Sequence, residues 1–259
     1  MRRLEVIALE NLGEVQKGDS VGKLIYQACC QSRIALMQGD VLVAAHKIVS
    51  KAEGRIVRLA EVQPSARALE LSRELHNKDA RLVEVILSES RRIVRMGGAT
   101  LIVETHHGFI CANAGVDLSN VGLGCVALLP REPDRSAREI RDKVGQLSGV
   151  MPGVIISDSF GRPWRLGTVD VAIGVSGVKP LKDERGKNDR YGYELKASVA
   201  AVADELAAAA ELVMGKRDEI PVVIIRGYGL ESENGSAKEL LRPEAEDLFR
   251  SSCPFETFG

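Results

Sequence analysis

Aromatic residues are scarce in this sequence, at 4% with a single tryptophan, and no apolar run approaches the roughly 20 residues of a membrane span. Net charge is also nearly absent, at −1, so no global field favours nucleic acid. The five cysteines (Cys29, Cys30, Cys111, Cys125 and Cys253) contain no C-x-x-C pair. That speaks against a disulfide framework or a structural zinc site and for a reducing cytoplasm. The basic, then apolar N-terminus is broken by Glu5 and Glu10 and does not read as a signal peptide. There is no G-x-x-x-x-G-K-[ST], no G-x-G-x-x-G after a strand and no H-E-x-x-H. That speaks against an ordinary P-loop, a dinucleotide Rossmann site and a zincin.

What is present is an ordinary globular composition, 45% apolar and 27% charged over 259 residues, enough for one large domain or two small ones. The chemistry concentrates between Val154 and Asp183. An apolar strand, Val154–Ile156, is expected to stop at Ser157–Asp158–Ser159, which puts a carboxylate at a strand's C-terminal end, where ligands collect. Gly161, Arg162, Trp164, Arg165, Gly167, Lys179 and Lys182 follow. Glycines admit phosphate close to the backbone and cations neutralise it, so the stretch suggests a phosphorylated ligand with a metal. The alternative is a strand–turn–strand with a solvated basic rim. A second polar cluster, Asn113 to Asn120 with Asp117, also follows a strand. Its oxygen donors suit Mg²⁺ or Mn²⁺, or form an Asx-turn.

Elsewhere the pattern predicts strands over 4–8, 41–45, 100–104, 108–112, 125–129, 171–175 and 220–226. Helices are expected over about 20–32, from Pro64–Ser65 to His76, over 79–95 ended by Gly97–Gly98, and over 194–213. A further helix is expected to open on a Ser136–Glu139 capping box and run to Leu147. In the alanine-rich segment 194–213, Asp204 and Glu205 read as the polar face and Gly215 as the residue past its end. His106–His107 reads as a polar turn, because adjacent strand residues face opposite sides. Lys51 stands where a phosphate-binding lysine or a surface lysine fits. The last 30 residues read as charged and irregular, with Pro243 and Pro254.

Five motifs occur in order: Ser50–Lys–Ala–Glu–Gly–Arg55, Asn113–Ala–Gly–Val–Asp–Leu–Ser–Asn120, Asp158–Ser–Phe–Gly–Arg162, Ala172–Ile–Gly–Val–Ser–Gly–Val–Lys179 and Ile220–Pro–Val–Val–Ile–Ile–Arg–Gly227. Together they closely resemble the coenzyme F420-0:L-glutamate ligase family over roughly residues 4–230. The resemblance implies a mixed α/β (α+β) fold with two lobes, one ligase unit over 1–259 of two interleaved subdomains, and an intertwined homodimer. It implies the stand-alone form, without a fused nitroreductase-like domain. It also implies a cytoplasmic acid–amino-acid ligase that adds L-glutamate to the deazaflavin precursor F420-0 and extends a γ-glutamyl tail. GTP is the expected co-substrate, an acyl phosphate the expected intermediate, and GDP and phosphate the products. The implied ions are Mg²⁺ or Mn²⁺, with K⁺ as a further candidate. A related GTP- and metal-dependent ligase acting on a different carboxylate or amino acid is the alternative.

Carried over by position, the resemblance assigns metal ligation to Asp117, Asp158 and Ser159. Nucleotide contact falls to Leu12, Gly13, Glu14 and Val15, to His46, Lys51 and Asn120, and to Met214, Gly215, Lys216 and Ile220. The family's Gly-Glu in that last loop is here Gly215–Lys216, so the resemblance assigns the second metal no glutamate at that position. Lys216 on phosphate, or Asp218 or Glu219 on the metal, are the substitutes considered. Arg162, Arg165, Lys179 and Tyr191 are acceptor or glutamate candidates by charge, shape and location.

Overall fold

The computed structural model describes residues 3–230 and 234–249. Its centre is a five-stranded sheet in the order β1 (Glu5–Ala8), β12 (Val222–Arg226), β2 (Val41–Ala45), β8 (Gly153–Arg162) and β9 (Arg165–Ser176). Only β2 and β8 run parallel. The near-continuous apolar runs of β2, β12 and the first half of β8 follow from coverage on both faces. Helices α1 (Val21–Gln31) and α5 (Pro133–Ser148) close one core around Ile25, Leu42, Ile156 and Ile224. Helix α6 (Val202–Met214) closes the other around Ile155, Val43, Val223 and Leu206. Alternate residues of each strand thus serve opposite cores.

Between α2 (His46–Ala52) and α5 the chain builds a third core. There α3 (Ala66–Glu74) and α4 (Ala80–Ser88) pack on β3 (Ile56–Arg58), β5 (Thr100–Thr105) and β7 (Cys125–Ala127). Strands β4 (Ser90–Gly97) and β6 (Ile110–Ala112) flank β5. Ser65 caps α3 by accepting from the Ala68 amide at 3.2 Å. The fold is mixed α/β, and no helix among the described residues is long and apolar enough to cross a membrane.

Several sequence expectations need correction. The helix expected over 79–95 ends at Ser88, and Ser90–Gly97 is a strand paired with β5. Its β-branched Ile93 and Val94 fit a pleated ladder better than a helix, and Gly98, at φ +57, turns the hairpin. The helix expected over 194–213 begins only at Val202. Val199–Ala200 forms β11, which pairs with β10 (Lys182–Asp183). Helix α5 starts at Pro133, not on a Ser136 box. A proline is favoured in the first turn, and Ser136 donates its hydroxyl to Glu53 at 2.7 Å. Strand β8 does not stop at Ser157 but continues to Arg162, because β9 pairs with it to the hairpin tip. Asp204 is no exposed polar face: it accepts from the Ala172 amide of β9 at 2.9 Å. The histidine turn stands, with His106 Nε2 against the Ser88 carbonyl and His107 Nε2 against Pro130. Residues 237–246 hold only short 3-10 turns, as an irregular tail would, and Pro254 lies outside the described residues.

Candidate functional site

The parallel pair β2 and β8 sets the site's position, with Ala45 beside Ser157. Helix α2 leaves β2 at His46, the Asn113–Gly122 loop arrives from the third core, and the α6–β12 loop closes the far side. They enclose a cavity of about 1050 Å³. Every residue that the resemblance assigned lines it: Leu12 to Val15, His46, Lys51, Asp117, Asn120, Asp158, Ser159, Met214 to Lys216 and Ile220. Leu12, Val15 and Met214 are buried in the cores and contribute walls. Asp218 and Glu219 line it as well. By contrast Arg165, Lys179, Lys182 and Tyr191 line no wall of it, and Arg162 and Trp164 face elsewhere. The extended hairpin carries residues 162–165 away, so the basic rim read from the sequence is not one site with Asp158.

The polar contacts are dense. Lys47 Nζ lies 2.8 Å from Asp117 Oδ2 and donates to Ser119 Oγ at 2.7 Å. Asp117 Oδ1 accepts from the Ser119 amide at 2.7 Å, so the Asx-turn is real and its other oxygen holds a lysine. Burial pushes the Asp117 carboxyl up, but the Lys47 and Ser119 hydrogen bonds outweigh it and hold it below its ordinary value. Lys51 Nζ contacts Glu14 Oε1 at 2.6 Å. Asn120 Nδ2 donates to the Lys216 carbonyl at 3.1 Å and ties the two loops together. Ser157 and Ser159 both donate their hydroxyls to Asp170, each at 2.7 Å. Glu211, on α6, is pushed up by burial and by the Asp170 charge.

His46 and Asp158 make the sharpest feature. Both are buried. The Ser50 hydroxyl donates to the Leu128 carbonyl at 2.6 Å, so its 3.3 Å contact with His46 Nδ1 places the ring proton on Nδ1. His46 Nε2 then stands 3.3 Å from Asp158 Oδ1 without hydrogen-bond alignment. A buried lone pair facing a carboxylate is unfavourable unless a proton or a metal ion lies between them. That orphaned atom, and the hard oxygen donors of Asp117, Asp158 and Ser159, fit a divalent cation. Among the described residues no three His, Cys, Asp or Glu side chains converge on a point.

Asp170, Glu211 and Lys47 were missed from the sequence. Asp170 was findable, as the one carboxylate inside the apolar run Val169–Asp–Val–Ala–Ile173. Glu211 carried no signal, because a single glutamate on a helix is ordinary.

A sequence profile of the F420-0:gamma-glutamyl ligase family matches residues 11–227. The chain is 48% identical to the coenzyme F420:L-glutamate ligase of Methanothermobacter thermautotrophicus over 95% of this chain and 99% of that protein. It is 45% identical to the one of Methanocaldococcus jannaschii, over 96% and 98%. With that of Archaeoglobus fulgidus it shares 44% over 96% and 97%. On this match, which spans the cavity's loops and both of its parallel strands, the chain belongs to the F420-0:gamma-glutamyl ligase family.

Proposed function

We propose that this chain is a GTP-dependent ligase that adds L-glutamate to coenzyme F420-0 and extends a γ-glutamyl tail. Family membership supports the glutamate and F420 chemistry. One observation supports a nucleotide handled with divalent ions: eight carboxylates and only three lysines line the cavity. A polyphosphate entering so acidic a space needs cations to offset repulsion. The reaction reads as phosphorylation of the acceptor's carboxylate to an acyl phosphate, then attack by the glutamate amine with loss of phosphate. A carboxylate is a poor electrophile, and phosphorylation gives it a leaving group.

In this reading Asp117, Asp158 and Ser159 hold Mg²⁺ or Mn²⁺, which offsets charge on the transferring phosphoryl group. Lys47 and Lys51 exchange their carboxylate partners for phosphate oxygens. Glu14 and Asp117 are released by the same exchange, and Asp117 becomes available for ligation. Asn120 holds the 214–220 loop against the nucleotide. His46 Nε2 turns its lone pair toward the same ion from beside Asp158. Lys216 is placed for phosphate, with Asp218 and Glu219 on the same loop.

The test is a reaction of purified protein with F420-0, L-glutamate, GTP and Mn²⁺, read by mass spectrometry, with ATP in a parallel tube. Products heavier by one or more glutamyl units with GTP alone support the reading. GDP formed only with F420-0, but without a glutamylated product, points to another amine donor. Neither product nor GDP points to another carboxylate acceptor.

A further inference from the structure

Strand β8 serves two cavities. Ser157 to Ser159 line the first, while Phe160 to Arg162, with Trp164 beyond the strand, line a second of about 830 Å³. Strand β9 divides likewise, with Asp170 on the first and Val171 and Ala172 on the second. The second cavity has a different chemistry. Its walls include Phe109 and Phe160, edge to face at 6.4 Å, and Trp164, packed on Phe249 at 4.8 Å. Flat rings of this kind receive a flat ring.

Its cations are arginines. Arg162 Nη2 donates to the Leu166 carbonyl at 3.0 Å, but among the described residues its buried Nε has no partner. A buried guanidinium N–H without an acceptor is costly, and its natural complement is a carboxylate or phosphate oxygen. The carboxylates on this wall are engaged: Asp204 accepts from Ala172 at 2.9 Å and Asp247 from the Phe249 amide at 2.8 Å. The two cavities are also close in space. Ser159, on the edge of the first, is followed directly by Phe160 of the second.

We propose that the second cavity seats the acceptor, a planar heteroaromatic ring with an anionic tail, the ring against Phe160 and Trp164 and the tail on Arg162, directed along β8 toward Asp158. The assignment rests on the ligase reading, which gives the first cavity to the nucleotide. The volume lies in the usual range for small-molecule sites. Arg162 here is a binding residue, and Trp164, 83% exposed at the hairpin tip, is a ring contact removable without disturbing a core.

The experiment is equilibrium binding of F420-0, followed by the ring's own fluorescence, with and without GDP. Arg162→Gln weakens F420-0 binding about tenfold and Trp164→Ala about fivefold, the scale of one lost charge-assisted hydrogen bond or ring contact. Both leave GDP affinity within about twofold, whereas Lys51→Ala weakens GDP and not F420-0. Circular dichroism checks that each variant is folded. Unchanged F420-0 affinity in both cavity variants overturns the assignment, and so does wild-type protein that binds no F420-0. Arg162-dependent binding without glutamylated product leaves the assignment standing and overturns the reaction.

Discussion

His46 Nε2 and Asp158 Oδ1 face each other at 3.3 Å in a buried pocket, and the sign of whatever stands between them decides what each residue does. If Asp158 holds a cation for phosphoryl transfer, Asp158→Asn loses turnover on the order of a hundredfold or more, because developing phosphate charge is left without its counter-ion. Full activity in that variant removes Asp158 from the metal site. Gly215 poses a different constraint. It sits at φ 53 and ψ 177, a region essentially reserved for glycine, and an added Cβ would stand 2.4 Å from Asp218 Oδ2. Gly215→Ala therefore costs roughly 1–3 kcal/mol and displaces the loop. Thermal unfolding should fall by several degrees, and KM for GTP should rise more than KM for F420-0.

At the scale of elements, α6 is fastened to β9 by Asp204. Burial holds that carboxyl above its ordinary value, so the folded state binds its proton more tightly than the unfolded chain does. Stability therefore falls as pH rises from the ordinary carboxylate range through the raised value, and the penalty is full above it. Asp204→Asn keeps an acceptor for the Ala172 amide and removes the charge. Its gain in Tm over wild type should be larger at pH 7 than at pH 4. The elements legible from sequence were those with two buried faces, such as Val41–Ala45 and Val222–Ile225, whose unbroken apolar runs have no other use. Strand β4 was not legible. It is an edge strand with no fully buried residue, so Arg91, Arg92 and Arg95 obscure any alternation. The outer half of β8 reads as a loop because Gly161–Arg–Pro163 carries loop residues, and only pairing with Thr168 and Arg165 makes it strand. The cavity-lining residues came from motif resemblance; spacing alone indicated Asp117 and Asp158 as carboxylates after strands, and left Asp170 and Glu211 unseen.

At the scale of the molecule, the first cavity lies on a seam. Asp158 stands on the central sheet, while Asp117 and Asn120 arrive on a loop from the third core. Leu71, 1% exposed in that core, tests the dependence. Leu71→Ala should cost about 2–5 kcal/mol. Hydrogen exchange should then quicken over residues 56–128 before it does in β2 or β8, with GTP affinity falling alongside. Strand β8 has a consequence of another kind. A strand rises about 3.3 Å per residue, so Asp158 and Arg162 stand at most about 13 Å apart along β8, whose pairing shifts register at Gly161–Arg162. If phosphate is delivered at one end and the ring is gripped at the other, each glutamate added lengthens the tether between two fixed points. The ring must then retreat from its seat by one residue for every cycle, and each product is held less firmly than its precursor. The strand would act as a ruler, and the length of the finished tail would be recorded in how far the ring can withdraw before its grip fails.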